Sequence, residues 1–330
     1  MPAALITGAT GALGPTVVRA FLAAGWSCRT LSRSLPRDGA LPAVPHTAAD
    51  INDEGTLASA MEGIDVVVHL AALLHAVHPP LPSEAEYHRI NVGGTLAVVA
   101  AARSSGVKRL VFMSTIAVYG SARSGMLDEA ATTAPDTPYS RSKDEAEKEL
   151  GRRAEHGGSP DVVVLRLAAV YGPRIKGNYD RLVRAIARRR FVPIGAGTNR
   201  RTLVYADDAA RAMAVAASHP AACGRTFNVV GGVHTVAEIT SAIAAALGRQ
   251  PPRLSVPLPA ARVAVSAIES LCAGVGHTPP VTRATLGKYT EEIAVRGDRI
   301  RDELGFTPRV DLRDGWRRTI AGMREQGRLP

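Results

Sequence analysis

Short, fully apolar runs alternate with helical periodicity along the first half of the chain. Residues 3–7, 28–32, 66–70, 109–114 and 162–167 are the strand candidates. Most are apolar at successive positions, as expected where both faces of a sheet are covered. Between them, 16–24, 56–61, 84–105 and 139–156 carry apolar residues at helical spacing, the third with a soft spot at Gly93-Gly94. Gly25 and Gly63 stop the first two. This alternation predicts βαβ units and a parallel sheet. After Tyr171-Gly172-Pro173 the pattern loosens, then 208–218 reads as helix and 226–230 as one more strand. Thr235-Val236-Ala237-Glu238 is a capping box, predicting a helix to Leu247 that Gly248 stops. Helical patterns recur at 260–273, 298–304 and 312–326. The expected class is α/β: a doubly wound parallel sheet with a smaller mixed C-terminal domain. The large domain takes 1–173 plus about 202–233, and the small one takes 174–201 plus about 234–330.

A length of 330 residues suits two domains. No apolar run approaches the ~20 residues that span a bilayer. No basic flank precedes the first apolar run, so a signal peptide is not expected and the chain reads as cytoplasmic. Cys28, Cys223 and Cys272 are scattered, as reduced thiols are.

Charge adds a further feature: 40 Lys+Arg stand against 30 Asp+Glu, a net +10. Residues 174–211 hold ten basic side chains and three acidic ones, so most of the excess sits there. Within them, Arg181, Arg184 and Arg188 share a helix face, most simply a solvated one. Aromatics are 4% and no nucleic-acid motif is present, so nucleic acid is not expected as partner. His69, His75 and His78 lack an acidic or cysteine partner at matching spacing, and no metal site is assigned. Residues 260–273 are too short and too charged to span a membrane, and read as a lid or core helix. Contact with a membrane or a lipid-linked substrate is the lesser alternative there.

The first strand runs into Thr7-Gly8-Ala9-Thr10-Gly11-Ala12-Leu13-Gly14, which opens the first helix. Gly8, Gly11 and Gly14 permit a tight turn and close approach to a pyrophosphate, and the helix N-terminus presents N–H groups to it. Thr10, Ala12 and Leu13 belong to the same loop, and Pro15 suits the first helical turn. A second strand follows about 20 residues on, the context that a dinucleotide site requires. An acid at the end of that strand grips the ribose 2′-hydroxyl of NAD. Here the end is Ser32-Arg33, which suits a 2′-phosphate, so NADP is preferred over NAD. Asp50 and Ile51 are placed to frame the adenine.

Tyr139-Ser140-Arg141-Ser142-Lys143 sets a tyrosine and a lysine on one helix face, after a Thr137-Pro138 start. An ammonium and a cationic nicotinamide are expected to lower the tyrosine pKa, making Tyr139 an acid or base toward a carbonyl or carbinol. Ser114-Thr115 ends a strand on the same sheet edge.

Together with His69-Leu70-Ala71-Ala72, Asn91-Val92-Gly93-Gly94-Thr95, Met113 to Gly120 and Arg166 to Pro173, these motifs resemble the extended short-chain dehydrogenase/reductases, the NAD-dependent epimerase/dehydratase group. The resemblance covers nearly the whole chain and implies a Rossmann domain, a C-terminal substrate domain and a soluble homodimer. It implies that Thr115 hydrogen-bonds the reacting oxygen, that Tyr139 is the acid/base, and that Lys143 holds the nicotinamide ribose. Leu70, Ala71, Ala72, Ser114, Leu167 and Val170 then line the cofactor. Asn91 matches the family's helix asparagine, and a backbone-bonding helix residue is an equal alternative.

The sequence also departs from parts of the family. Its 4,6-dehydratases carry Asp-Glu after the catalytic Thr, where this chain has Ile116-Ala117. Its epimerases often carry Phe-Asn where Ala168-Ala169 stand. Leu304-Gly305-Phe306-Thr307-Pro308 and the 279–283 segment resemble reductase and 3β-hydroxysteroid-dehydrogenase-like members. The expectation is an NAD(P)-dependent ketoreductase acting on a nucleotide-activated sugar. A 4-epimerase retaining NAD and a hydroxysteroid-type dehydrogenase are the alternatives, and a non-catalytic nucleotide sensor is disfavoured by the intact Thr115, Tyr139 and Lys143. Asn178, Arg201 and Arg283 are the expected substrate contacts, with Arg201 on the diphosphate.

Overall fold

The computed structural model describes residues 1–37, 39–74, 81–121, 125–155, 160–174, 176–251, 254–274 and 282–329. Its first half runs β1 (Ala3–Thr7), α1 (Gly14–Ala23), β2 (Ser27–Ser32), β3 (His46–Ala48), α2 (Glu54–Met61), β4 (Val66–His69), α3 (Glu84–Tyr87), α4 (Gly94–Ser104), β5 (Arg109–Thr115), α5 (Pro138–Glu155) and β6 (Asp161–Leu167). It continues β7 (Ala169–Tyr171), α6 (Asn178–Ala187), β8 (Arg200–Tyr205), α7 (Ala206–Ser218), β9 (Thr226–Val229), β10 (Gly232–Thr235), α8 (Val236–Ala246), α9 (Leu258–Gly274), α10 (Arg283–Thr290), α11 (Asp298–Leu304) and α12 (Leu312–Glu325).

Seven strands form one sheet in the order β3-β2-β1-β4-β5-β6-β9, all parallel. Successive side chains of a strand point to opposite faces. Ala4, Ile6, Val66, Val68, Val111, Met113, Val163 and Leu165 therefore enter the core shared with α1 and α7. Leu5, Val67, Leu110, Phe112, Val162 and Val164 enter the core shared with α2, α4 and α5. Burial on both faces is why these strands carry no polar alternation. The order reverses between β1 and β4, and a ligand crevice opens above the carboxyl ends of strands at such a point.

A second sheet, β10-β8-β7, is mixed: β10 and β8 are antiparallel, β7 and β8 parallel. It packs with α6, α8 and α12 around Tyr171, Tyr205 and the fully buried Trp316. Within the expected 202–233 stretch, α7 and β9 pack on the large sheet, but β8 belongs to the small one. The 84–105 helix is also divided. Residues 88–93 form a π-turn between α3 and α4, ending at the Gly93-Gly94 soft spot.

Candidate active site

From Thr7 the chain turns sharply into α1. Gly8 has φ +69°, and a Cβ there would lie 2.7 Å from the Ala71 amide nitrogen. A Cβ on Gly14 would lie 2.0 Å from the Ala9 carbonyl oxygen, so neither position admits a side chain. Leu13 gives α1 no side-chain cap, which leaves its first turn open to an anion.

A cleft of about 880 Å³ opens over this turn. Gly8, Thr10, Gly11, Ala12, Leu13, Gly14, Ser32, Arg33, Asp50, Ile51, Leu70, Ala71, Ala72, Ser114, Thr115, Tyr139, Lys143, Leu167 and Val170 all line it. Of the expected cofactor residues, Asn91 lies behind the wall. Its side chain accepts from the Leu73 amide at 2.7 Å and donates to Leu73 O and to Ser142 Oγ, tying the π-turn to α5.

His69 is fully buried in a hydrogen-bonded chain that fixes its tautomer. Thr95 Oγ1 donates to Asn91 O at 2.6 Å, so it accepts from His69 Nε2 at 3.2 Å. Nδ1 is then the acceptor from Thr7 Oγ1 at 2.7 Å. Burial, with the Lys143 charge, pushes the imidazole down to about 3. His69 is thus a neutral clamp between β1, β4 and α4. His75 and His78 lie outside the described residues.

The first turn of α5 is fixed as its Thr137-Pro138 start suggests: Ser140 N donates to Thr137 Oγ1, and Thr137 N to Ser140 Oγ. One face then presents Tyr139 and Lys143 to the cleft. The lysine ammonium lies 4.1 Å from the Phe112 ring centroid. Burial pulls it down to about 7, although Glu147, one turn on, favours its charge. The tyrosine differs from the expectation. Its burial and Tyr87, packed edge-on at 6.5 Å, push it up to about 12. The expected lowering requires the cationic nicotinamide as well as the ammonium, and in the protein alone desolvation is the largest influence.

Ser114 turns its hydroxyl onto Glu147. That carboxylate is held by Arg166 at 2.6 Å, and Arg166 also donates to Tyr119 Oη at 3.0 Å. The buried pair braces α5 against β5 and β6. At the end of β2, Ser32 Oγ donates to Ser34 O, and Arg33 is exposed at the cleft. Asp50 accepts from the Asn52 backbone, which holds its carboxyl below the usual range, helped by Arg33 and Arg89.

Three expected substrate residues are absent from the cleft. Asn178 opens α6, and Arg283 pairs with Glu269 at 2.7 Å. Arg201 donates to Glu291 at 2.8 Å, while Arg200 pairs with Glu292. Besides Arg33 and Lys143, the cations that line the cleft are Arg19, Arg174 and Lys176. Arg174 is desolvated and close enough to Arg19 and Arg328 that its guanidinium is pushed down, and its buried Nε has no hydrogen-bond partner. A cradle without side chains, an open helix terminus and an orphaned guanidinium fit the diphosphate of a dinucleotide.

Residues 4–230 match the NAD dependent epimerase/dehydratase family. The chain belongs to this family. It is 33% identical over 269 residues to a UDP-glucose 4-epimerase of Vibrio cholerae, covering 77% of this chain and 78% of that one. It is 30% identical over 337 residues to a 4-hydroxy-2-methyl-3-oxo-4-farnesyl-3,4-dihydroquinoline-1-oxide ketoreductase of Stigmatella aurantiaca, covering 98% of both. Among solved structures, MoeE5 in complex with UDP-glucuronic acid and NAD superposes with TM-score 0.77 at 27% identity, covering 98% of this chain and 99% of that one. The protein is therefore an NAD-dependent enzyme of the extended short-chain dehydrogenase/reductase type. Neither Arg19 nor Arg174, both at the cleft, sits in a glycine or Tyr-x-x-x-Lys motif. The local signals for Arg174 are its place directly after Gly172-Pro173 and at the start of the basic 174–211 stretch.

Proposed function

We propose that this family member is a ketoreductase that reduces a carbonyl of a nucleotide-activated sugar. The observation that carries it is the convergence of Thr115, Tyr139 and Lys143 with the glycine loop in one cleft. The end-to-end likeness to a ketoreductase supports the direction. The glycine loop, Arg19 and Arg174 would hold the cofactor diphosphate, and Arg33 a 2′-phosphate, which favours NADP. When bound, the cofactor supplies the hydride. Thr115 donates a hydrogen bond to the carbonyl oxygen, and Tyr139 gives that oxygen its proton. Lys143 holds the ribose hydroxyls and, when charged, stabilises the phenolate left on Tyr139. The carbonyl thereby gains one hydride and one proton and becomes an alcohol. With Arg201 engaged by Glu291, Lys176 at the cleft is the candidate for the sugar's diphosphate.

The epimerase alternative has support from the UDP-glucose 4-epimerase likeness. Incubation with NADPH and UDP- or dTDP-linked 4-keto sugars separates the two. Stoichiometric NADPH oxidation with a reduced sugar supports the ketoreductase. Interconversion of UDP-glucose and UDP-galactose without net cofactor consumption overturns it.

A further inference from the structure

Two segments that pack together, 181–206 and 239–268, contain ten arginines and no aspartate or glutamate. They meet where Ile194 bridges Val256 in parallel register, and where Arg249 donates to Ala187 O at 2.5 Å. The nearest carboxylates in sequence are already engaged: Asp180 by Arg184 and Arg328, Glu238 in its capping box, Glu269 by Arg283. Arg184, Arg200 and Arg201 are offset by Asp180, Glu292 and Glu291, whereas Arg181, Arg188, Arg189 and Arg190 have no acid partner among the described residues, which leaves positive potential at that end.

The most exposed part is the end of α6. Arg188, Arg189 and Arg190 are all exposed, with no side-chain partner among the described residues. Arg189 has φ +56°, the left-handed position that normally ends a helix with glycine. A helix terminus welcomes a cation in its last turn. That accounts for one such residue, not for three in succession with the middle one strained. Directly behind them Val192 is 56% exposed. Leu254, which precedes Val256 by two residues as Val192 precedes its bridge partner Ile194, is 85% exposed. Val263 of α9, whose buried side packs on this same strip through Ala261 and Val265, is 72% exposed.

We propose that this face docks on a membrane surface carrying anionic lipid headgroups. The guanidinium groups meet lipid phosphates, and Val192 and Leu254 enter the boundary between headgroups and acyl chains. A second copy of the chain would bring like charge against like charge. A nucleic-acid backbone would leave the exposed aliphatic side chains without a role.

The test is flotation of the full chain with vesicles of phosphatidylcholine alone, or of phosphatidylcholine with phosphatidylglycerol. The expected result is co-flotation with the anionic vesicles only, weakened by salt. Each cation at such a surface is worth roughly fivefold in partitioning, so the Arg188→Glu/Arg190→Glu variant should lose ~20-fold or more. Leu254→Ser should lose several-fold with no charge altered. Unchanged NAD binding shows that both variants are folded. Absence of flotation overturns the proposal. So does flotation that double-stranded DNA displaces and Leu254→Ser leaves unchanged, since that describes a general polyanion patch.

Discussion

Arg201 and Glu291 lie 90 positions apart in the chain and 2.8 Å apart in the fold, each with less than a fifth of its side chain exposed. The pair fastens β8 to the segment after α10, beside the Arg200–Glu292 pair. Arg201→Ala is expected to strip Glu291 of its partner and cost roughly 2–3 kcal/mol, below the value for a fully buried pair. The folded variant should keep its substrate KM within about twofold, because the contact it loses is internal. Thermal unfolding and steady-state kinetics check both halves. A tenfold rise in KM with unchanged stability would place Arg201 on the substrate after all.

Tyr139→Phe should lower turnover by about 10²–10⁴-fold, the usual worth of a positioned proton donor. Its cofactor affinity should stay within about twofold, since the phenol is not required to hold the dinucleotide. Fluorescence titration with NADPH, alongside kcat, makes the comparison. Turnover near the parent level would remove Tyr139 from the mechanism.

Buried His69 gives a pH signature. Its pKa is near 6.5 in an unfolded chain and about 3 here, so the unfolded chain binds the extra proton between those values. Stability should therefore fall as pH drops from 6.5 toward 3, at up to about 1.4 kcal/mol per pH unit. Half-buried His234, also pushed down, adds to it. Urea unfolding at pH 6.5 and pH 4.5 should differ by roughly 2–3 kcal/mol. His69→Asn should flatten that difference, and an unchanged slope in the variant would assign the loss elsewhere.

Arg33 carries the NADP preference. Arg33→Asp should raise the KM for NADPH by about tenfold or more and leave that for NADH little changed or improved, since the acid favours a 2′-hydroxyl and repels a 2′-phosphate. An unaltered KM ratio would show that Arg33 does not read the phosphate.

Local features were the legible ones. The glycine loop and the Tyr139–Lys143 spacing each lie within one turn or one helix, and the long apolar strands declare burial on both faces. The small sheet was not legible as a sheet. Two of its three strands have three or four residues, and β8 opens with two arginines. The chemistry of Arg201 depends on a carboxylate 90 positions away, which no spacing rule conveys. The raised tyrosine pKa of the protein alone comes from burial and from Tyr87 on a neighbouring helix, which the Tyr139–Lys143 spacing does not convey; the expected lowering also requires the cationic nicotinamide. Asn91 was placed on the correct helix, but the π-turn that draws its side chain toward Leu73 and Ser142 has no local marker beyond Gly93-Gly94.

Hydride transfer to a substrate carbonyl with net cofactor oxidation is the central claim. Its most direct test uses NADPH deuterated at the transferring position of the nicotinamide, with a nucleotide-linked 4-keto sugar, and mass spectrometry of the product. One deuterium on the new carbinol carbon, with one cofactor oxidised per product and both lost in Tyr139→Phe, is the predicted result. An unlabelled or merely epimerised sugar, with the cofactor returned to its starting state, would contradict it.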